Sequence, residues 1–419
     1  MAGEISFACT INKDAVPVLN QPQVIYALFE MAPTGKAAQA RMGLNFSLVL
    51  DRSGSMDGEK ISRLREAVKQ IIDQLEPSDY VSVVAFNNRT DTLVPSTLAQ
   101  DKAALKRKVQ GLSADASTEM APALRAGLAE VKKQRREDRV SRLVVLTDGH
   151  PTDNLRDSLQ MAETASREGI PIIALGLGDD WNTQFLTDLS AKSGPLGQVV
   201  YIARPEDTAQ IFQDVLQSMQ IVAKDVTLTL RLVQGVTPRR VWQVVPLIKD
   251  LGYSPLSDRF VEVRLGDLEQ QGVAILAELS LQPRNPGRYR IAQSEVSYNV
   301  PVLKLTGEKV QADIMMGYTP DAYALPPQNP KVANMVERVT AFNLQTRALE
   351  EAAAGNVAGA TQKLRGAVTI LLSQQDEAAK DLAKTLKLEA DRLEQGGELS
   401  EAGKKTIALS RKTVKLSDL

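Results

Sequence analysis

The sequence has 419 residues, 43% hydrophobic and 24% charged, which is typical of a folded chain of two or three domains. Its 50 basic and 51 acidic residues give a formal net charge of −1, a balance that argues against general binding to nucleic acid or to an acidic membrane surface. The single cysteine, Cys9, excludes an internal disulfide framework. Because neither a secretory signal nor an apolar run long enough to span a bilayer is visible, we expect a cytoplasmic protein.

The chain opens with two predicted strands, around Ile5–Ile11 and Val24–Phe29, followed by a loop over Ala32–Met42. The first of them alternates between apolar and polar residues. This pattern is typical of half-exposed antiparallel strands and differs from the continuous apolar strands that come next. We therefore expect the N-terminal strands to belong to a different sheet from the one that begins at Asn45.

The segment NFSLVLDRSGSM, residues 45–56, is predicted to be a buried strand followed by a turn of small and acidic residues. An amphipathic helix comes next, because its apolar residues recur at steps of three and four along one face. Strand, polar turn and helix form the first unit of an α/β sheet. Ligands of such sheets bind beyond the carboxyl ends of the strands, where this turn lies.

Strands and helices continue to alternate up to about residue 220, which predicts a doubly wound, mostly parallel sheet with helices on both faces. One short strand, Thr90–Pro95, is expected at an edge of this sheet and to end at its proline. The apolar run at residues 143–146 is another strand, with Thr147, Asp148 and Gly149 just past its end.

Oxygen-bearing side chains follow three of these elements. The turn after the first strand supplies Asp51, Ser53 and Ser55, the loop SADASTEM supplies Thr118, and the loop LTDGHPTD supplies Asp148. Carboxylate and hydroxyl oxygens suit a hard divalent cation, and Mg²⁺ in particular takes few protein ligands and keeps several waters. The sequence therefore predicts a Mg²⁺ site, with Ca²⁺ or Mn²⁺ as alternatives.

Asp51-x-Ser53-x-Ser55, then Thr118, then Asp148 resemble, in order and placement, the metal-ion-dependent adhesion site of von Willebrand factor type A (VWA) domains. The resemblance covers roughly residues 43–220 and suggests a protein of bacterial type. The threonine loop of the family often carries paired glycines, and Ala116 and Ser117 stand there in this chain.

The resemblance implies a Rossmann-like domain that recognises other proteins through its metal ion. In the family, hydroxyls and aspartates fill part of the coordination shell, and an Asp or Glu of a partner protein completes it. Ser53, Ser55 and Thr118 would be direct ligands, while Asp51 and Asp148 would act directly or through water. Bacterial proteins with this domain order often accompany an ATPase of the AAA class. The resemblance therefore implies such an ATPase as a partner.

Neighbouring polar residues have simpler interpretations. Asp153 is expected to cap the helix that begins at Asn154, and Glu119 to favour the first turn of the next helix through the helix dipole. Asp115 could add an oxygen near Thr118, but we do not include it in the site. His150 is the single histidine and has no partner motif that would make it catalytic.

The remaining sequence predicts two further regions. Alternating strands between about residues 223 and 318 indicate a β-sandwich, and the N-terminal strands have no other partner. We therefore predict a discontinuous sandwich of residues 1–42 and 223–320 with the VWA domain, 43–222, inserted, as in proteins resembling inter-α-trypsin inhibitor heavy chains. Residues 325–419 are predicted to form a helical bundle.

Two other functions are compatible with parts of the sequence. A Mg²⁺-dependent phosphoryl-transfer enzyme would use Asp51 as nucleophile, but such phosphatases need a second aspartate where Ser53 stands, and neither a GxxxxGK[ST] nor a GxSxG motif is present. The second alternative is an oligomeric scaffold that acts mainly through its C-terminal helices. In that case the chain would form a homo-oligomer. We expect a binding protein and no enzyme, without nucleic acid as a partner and without a membrane span.

Overall fold

A computed structural model describes residues 4–194, 196–257, 259–321, 325–374, 376–409 and 416. The chain divides into two compact units, one of residues 41–221 and the other formed by the segments on both sides of it. The predicted fold class is confirmed: along the sequence, a doubly wound α/β domain separates the two segments that form a β-sandwich, and helices follow. Among the described residues, no helix is long and apolar enough to cross a membrane.

The chain begins with strands β1 (Ile5–Ile11), β2 (Ala15–Pro17) and β3 (Gln23–Pro33). Strands β1 and β3 pair antiparallel in an unbroken register. The second strand predicted from the sequence lies inside β3, which is longer at both ends. The sequence does not reveal β2, because a three-residue strand that ends in proline carries too few residues for a period of two to show.

The α/β unit forms a six-stranded sheet. Its strands are β4 (Gly43–Asp51), β5 (Tyr80–Phe86), β6 (Thr90–Leu98), β7 (Arg139–Thr147), β8 (Ile172–Leu177) and β9 (Gln198–Ile202). Its helices are α1 (Glu59–Gln74), α2 (Lys102–Gln110), α3 (Met120–Lys132), α4 (Leu155–Arg167), α5 (Thr183–Lys192) and α6 (Thr208–Ser218).

The strand order in this sheet is β6-β5-β4-β7-β8-β9, and all neighbours are parallel except the edge pair of β5 and β6. Central strands β4 and β7 are buried along almost their whole length, as parallel strands covered by helices on both faces require. Because β4 and β7 are adjacent and parallel, the loops that follow them start at the same edge of the sheet.

The edge strand β6 corrects one prediction. It was expected to end at Pro95, but it continues to Leu98, and the register between β5 and β6 shifts near Val83 and Val94. An edge strand in an antiparallel pair with a bulge has backbone positions that need no N–H, so a proline fits inside it.

The chain after the α/β unit forms most of the sandwich. Its strands are β10 (Ile221–Leu232), β11 (Val236–Val245), β12 (Lys249–Asp250), β13 (Ser254–Ser257), β14 (Phe260–Glu269), β15 (Val273–Leu281), β16 (Gly287–Val300) and β17 (Leu305–Thr319). One sheet has the order β1-β3-β15-β11-β12 and the other β13-β14-β10-β16-β17-β2. The N-terminal strands therefore contribute to both sheets, and β3 pairs along β15 from Gln23 to Met31.

The C-terminal region consists of helices α7 (Pro330–Ala353), α8 (Val357–Ser373), α9 (Glu377–Glu394) and α10 (Glu401–Leu409). Apolar residues of α7, α8, α9 and α10 share one buried cluster, and the N-terminal part of α7 packs on the sandwich through Val332, Met335 and Val339. The last part of the predicted helical bundle, residues 410–415 and 417–419, lies outside the described residues.

Candidate metal centre

The five residues predicted for the metal site lie on three loops at one end of the α/β sheet. Asp51 is the last residue of β4, and Ser53 and Ser55 are in the turn that follows it. Asp148 directly follows β7. Thr118 lies two residues before α3.

A continuous path of hydrogen bonds joins four of the five predicted residues. Asp51 accepts at Oδ1 from the backbone N–H of Ser53, at 2.8 Å. The hydroxyls of Ser53 and Ser55 are 3.1 Å apart, and the Ser55 hydroxyl donates to Oδ1 of Asp148 at 2.6 Å. Thr147, the last residue of β7, donates its hydroxyl to Oδ2 of Asp51 at 2.5 Å. The two carboxylates are thus linked through the backbone N–H of Ser53 and the hydroxyls of Ser53 and Ser55.

The fifth residue, Thr118, is positioned by its backbone. Its carbonyl accepts from the backbone N–H of Thr152 at 2.7 Å and from the Thr152 hydroxyl at 2.9 Å, which ties its loop to the loop of Asp148. The Ala116 carbonyl accepts from the N–H of Gly54 at 2.9 Å, which ties it to the turn after β4. Thr118 is 5% exposed, and among the described residues no hydrogen bond joins its hydroxyl to the other four side chains.

Ala116 has a φ of +62°, a backbone conformation that costs an alanine about 1–2 kcal/mol relative to its ordinary regions. This is the position at which the loop of the family often carries glycine. The backbone of this loop is left-handed at Ala116, although glycine would adopt that conformation more easily than alanine.

The centre buries two carboxylates. Asp51 and Asp148 are 0% and 1% exposed. Burial raises the pKa of Asp51 above its ordinary value, hydrogen bonds from Thr147 and Ser53 oppose this, and the charge of Asp148 adds to the increase. A positive charge at this position would relieve the cost of keeping both groups ionised.

One positive charge is already present. Lys60, the second residue of α1, places its ammonium nitrogen 2.5 Å from Oδ2 of Asp148. Sequence reasoning missed this residue because a lysine in the first turn of an amphipathic helix is indistinguishable from an ordinary solvated one. The sequence shows only that Lys60 follows Asp51 by nine residues. Whether Lys60 reaches Asp148 depends on the conformations of the two loops that follow β4 and β7.

Asp153 corrects another prediction. It was expected to cap the helix at Asn154, but Asn154 caps α4 itself, since its side chain accepts from the N–H of Arg156. Asp153 instead accepts from the N–H of Ala121 at 2.8 Å, in the first turn of α3. It therefore holds the helix that follows Thr118, and it provides the side-chain cap that Glu119 does not supply.

The other nearby polar residues lie on the rim. Asp115 is exposed, and its carboxylate accepts from the N–H of Ala116, so it shapes the turn. His150 is exposed.

The two methionines that flank the first loop, Met42 and Met56, are fully buried in the apolar core of the α/β unit.

The donors in this centre fit a hard divalent cation. They are carboxylate and hydroxyl oxygens, and hydroxyls can turn their lone pairs toward a cation as readily as they donate to a carboxylate. Within the described parts of the chain, no group of three or more His, Cys, Asp or Glu side chains could hold a metal ion, so soft or imidazole-rich sites have no candidate there.

Two family models match separate parts of the chain. Residues 45–215 match the von Willebrand factor type A domain family, and residues 330–417 match the family described as Sll0103-like, C-terminal alpha-helical domain. The Synechocystis protein sll0103 is 30% identical over 408 residues, which are 96% of this chain and 94% of that protein. Human inter-alpha-trypsin inhibitor heavy chain H1 is 31% identical over 172 residues, which are 38% of this chain and only 19% of that protein.

Two solved structures share the fold over almost the whole chain. The von Willebrand factor type A protein from Catenulispora acidiphila has a TM-score of 0.73 and 21% identity, and the match covers 98% of this chain and 97% of that one. The ArnB paralog VWA2 from Sulfolobus acidocaldarius has a TM-score of 0.55 and 15% identity, with 98% and 100% covered. At these identities the similarity extends to the fold alone.

Proposed function

Because the chain belongs to the family of von Willebrand factor type A domain proteins that includes sll0103 of Synechocystis, we propose that it is a metal-dependent protein-interaction module of bacterial type. Its metal-ion-dependent adhesion site consists of Asp51, Ser53, Ser55, Thr118 and Asp148. The ion is Mg²⁺, with Ca²⁺ or Mn²⁺ as alternatives, and the ligand is an Asp or Glu side chain of a partner protein. VWA domains are generally protein-interaction modules, and the metal and the acidic ligand are the specific parts of the proposal.

The observation that carries this proposal is the convergence of the three loops. Two buried carboxylates are connected through Ser53 and Ser55, and Thr147 donates to one of them. Backbone hydrogen bonds join the loop of Thr118 to each of the other two loops. An isolated helix cap would need one of these groups. A set of oxygens from three loops, two of them carboxylates that burial penalises, is what a cation site requires.

Each residue has a role that follows from its position. A bound divalent ion would supply a positive charge that attracts an external carboxylate. Asp51 and Asp148 provide the negative charge that retains the ion, and Thr147 and the N–H of Ser53 fix the orientation of the Asp51 carboxylate. The neutral hydroxyls of the site complete the oxygen set without cancelling the charge of the ion, which leaves it attractive to a partner's acid.

The metal part of the proposal is tested with metal-free protein and Mg²⁺ by isothermal titration calorimetry. We expect one site per chain with a dissociation constant in the submillimolar range or tighter, and loss of that site in the Ser53→Ala, Ser55→Ala double variant. Ser117→Ala is the matched control, because Ser117 is an exposed serine next to Thr118 and should leave binding unchanged. Unchanged Mg²⁺ binding by the double variant would overturn the assignment of the site.

The partner part is tested by affinity capture from the source cell in Mg²⁺ and in chelator. A protein retained only with Mg²⁺, and lost from the double serine variant but not from Ser117→Ala, would support an acidic partner. An ATPase of the AAA class is the partner to examine first. Capture that is equal with and without chelator would contradict the metal-bridged interaction.

The proposal is of binding without bond chemistry, in the cytoplasm, by a chain that is monomeric or a homo-oligomer. For the location, the support is that a single cysteine allows no internal disulfide framework. A phosphatase assay with a general aryl phosphate separates this from an enzyme: Mg²⁺-dependent hydrolysis that disappears in Asp51→Asn would replace the binding proposal with a phosphoryl-transfer one.

A further inference from the structure

Lys60 makes the closest charged contact in the metal centre. Its ammonium nitrogen is 2.5 Å from Oδ2 of Asp148, and the side chain is 28% exposed whereas that of Asp148 is 0% exposed. The other oxygen of Asp148 accepts the Ser55 hydroxyl at 2.6 Å. The carboxylate of Asp148 is therefore buried, and Lys60 contacts it from the solvent-exposed side of the site.

This contact solves an electrostatic problem of the metal-free centre. Two carboxylates, Asp51 and Asp148, are buried close enough for the charge of Asp148 to raise the pKa of Asp51. A buried charge without a counter-charge is strongly unfavourable, and hydroxyl donors compensate only part of it. Lys60 supplies the missing positive charge at Oδ2 of Asp148.

We propose that Lys60 is a tethered counter-cation that competes with the divalent ion for Asp148 and thereby sets the metal affinity of the site. The proposal rests on the proposed function, since it presupposes that the centre binds a divalent cation. With the ion present, Lys60 must either withdraw into solvent or remain close to a second positive charge, and both alternatives weaken metal binding. Its flexible four-carbon stem and partial exposure allow withdrawal.

A supporting role would have the opposite effect. Groups that orient a metal ligand usually strengthen metal binding, so loss of such a group weakens it. Asp148, however, is already oriented by the Ser55 hydroxyl at Oδ1. What Lys60 adds is a full positive charge, and a positive charge beside the binding position opposes a divalent cation. The two roles are therefore distinguished by the sign of the change in affinity.

The test compares Lys60→Met, Lys60→Arg and the control Lys69→Met in the full chain, by calorimetric titration of metal-free protein with Mg²⁺. Lys69 is on the same helix and pairs with Glu66 at the surface, away from Asp148. We expect Lys60→Met to bind Mg²⁺ about tenfold more tightly, the loss of one ion-pair competitor of roughly 1.4 kcal/mol. Lys60→Arg and Lys69→Met should remain within about twofold of the wild type.

Unchanged or weaker Mg²⁺ binding by Lys60→Met would overturn the proposal. Absence of Mg²⁺ binding in the wild type and in Lys69→Met alike would instead overturn the proposed function, so the two failures are distinguishable. Should Lys60→Met fail to fold, Lys60→Gln keeps an N–H donor for Asp148 without the charge and is expected to give the same tightening.

Thermal unfolding provides a second measurement that does not depend on titration. In EDTA, Lys60→Met should melt at a lower temperature than the wild type, because Asp148 has lost its counter-charge. Added Mg²⁺ should raise its melting temperature by more than it raises that of the wild type. Equal melting temperatures in EDTA would contradict the role of Lys60 as a counter-charge.

Discussion

The α/β sheet has buried carboxylates at both ends, and Asp79 and Asp51 accept hydrogen bonds from different kinds of donor. Asp79 lies just before β5, where it accepts N–H bonds from Leu44 at Oδ1 and from Glu76 and Arg41 at Oδ2, at 2.7–2.9 Å. Asp51, at the other end of the same sheet, is equally buried, but at Oδ2 it accepts a hydroxyl, from Thr147.

The type of donor decides whether a buried acid is structural or available for binding. An N–H group can only donate, so the three donors around Asp79 fix it as an acceptor. A hydroxyl can donate or accept, so the surroundings of Asp51 can adapt to a cation or to a neutral side chain. Substitutions at Asp79 and Asp51 should therefore change stability in opposite directions in the metal-free protein.

Asp79→Asn should cause the largest change. Whichever way the amide is turned, its NH₂ group would face an N–H donor, and Arg41 would lose its counter-charge. We expect the free energy of unfolding to fall by about 3 kcal/mol, measured by urea denaturation. The loss should be the same in EDTA and in Mg²⁺, and a loss that Mg²⁺ reverses would contradict the structural role of Asp79.

Asp51→Asn should increase the free energy of unfolding of the metal-free protein, in contrast to Asp79→Asn. Its amide NH₂ can donate to the Thr147 hydroxyl, which is free to accept, and the variant removes a buried charge. We expect an increase of about 1 kcal/mol in the free energy of unfolding at pH 7 in EDTA, together with loss of the stabilisation by Mg²⁺.

The pH dependence of the stability of the metal-free protein also tests the cost of burying the Asp51 carboxylate. The pKa of Asp51 is raised above its ordinary value of 3.8 by burial. The folded state therefore binds more protons than the unfolded state between those two values, so this group makes stability fall as pH increases through that window. Asp51→Asn should lack this part of the decline, and identical pH profiles for the two proteins would contradict the pKa shift.

Asp153→Ala should have a moderate effect on stability and an additional one on metal binding. It removes the acceptor for the N–H of Ala121, a helix cap worth about 1 kcal/mol, and loosens the helix that follows Thr118. Asn154→Ala is the matched control, because it removes the cap of α4 and leaves the Thr118 loop intact. Both should lower the urea midpoint similarly, and only Asp153→Ala should weaken Mg²⁺ binding.

Ala116→Gly should produce the smallest change, a stabilisation of about 0.5 kcal/mol. Glycine adopts the φ of +62° without strain, and part of this gain is lost to the greater freedom of glycine in the unfolded chain. Ala114→Gly, in the same loop at a residue without a positive φ, should be destabilising instead. Destabilisation by both glycines would show that the turn at Ala116 is not strained.

Much of the fold follows from local patterns in the sequence. Continuous apolar strands alternating with amphipathic helices predict the α/β unit, and period-two strands on both sides of it predict the discontinuous sandwich. Short or irregular elements do not follow. The strand β2 has too few residues for a pattern, and the extension of β6 past Pro95 depends on a bulge opposite Val83, which is a property of the pairing and not of either strand alone.

The site was predictable only in part, for a related reason. Residues placed directly after a strand or before a helix, such as Asp51, Asp148 and Thr118, can be located from the order of the elements. Lys60 and Asp153 could not, because each acts on a residue of another loop through the path of the backbone. Their local sequence is compatible with an exposed lysine and an ordinary helix cap, which are the commoner cases.

The pairing of β3 with β15 has a consequence for synthesis of the chain. Their partners are far apart in sequence, since Met31 is opposite Val273, so β3 emerges from the ribosome long before β15 exists. At about 5–20 residues per second, the wait is on the order of tens of seconds. During that time the nascent hairpin of β1 and β3 exposes an unpaired edge, and folding of the intervening unit shortens the tether that must then close.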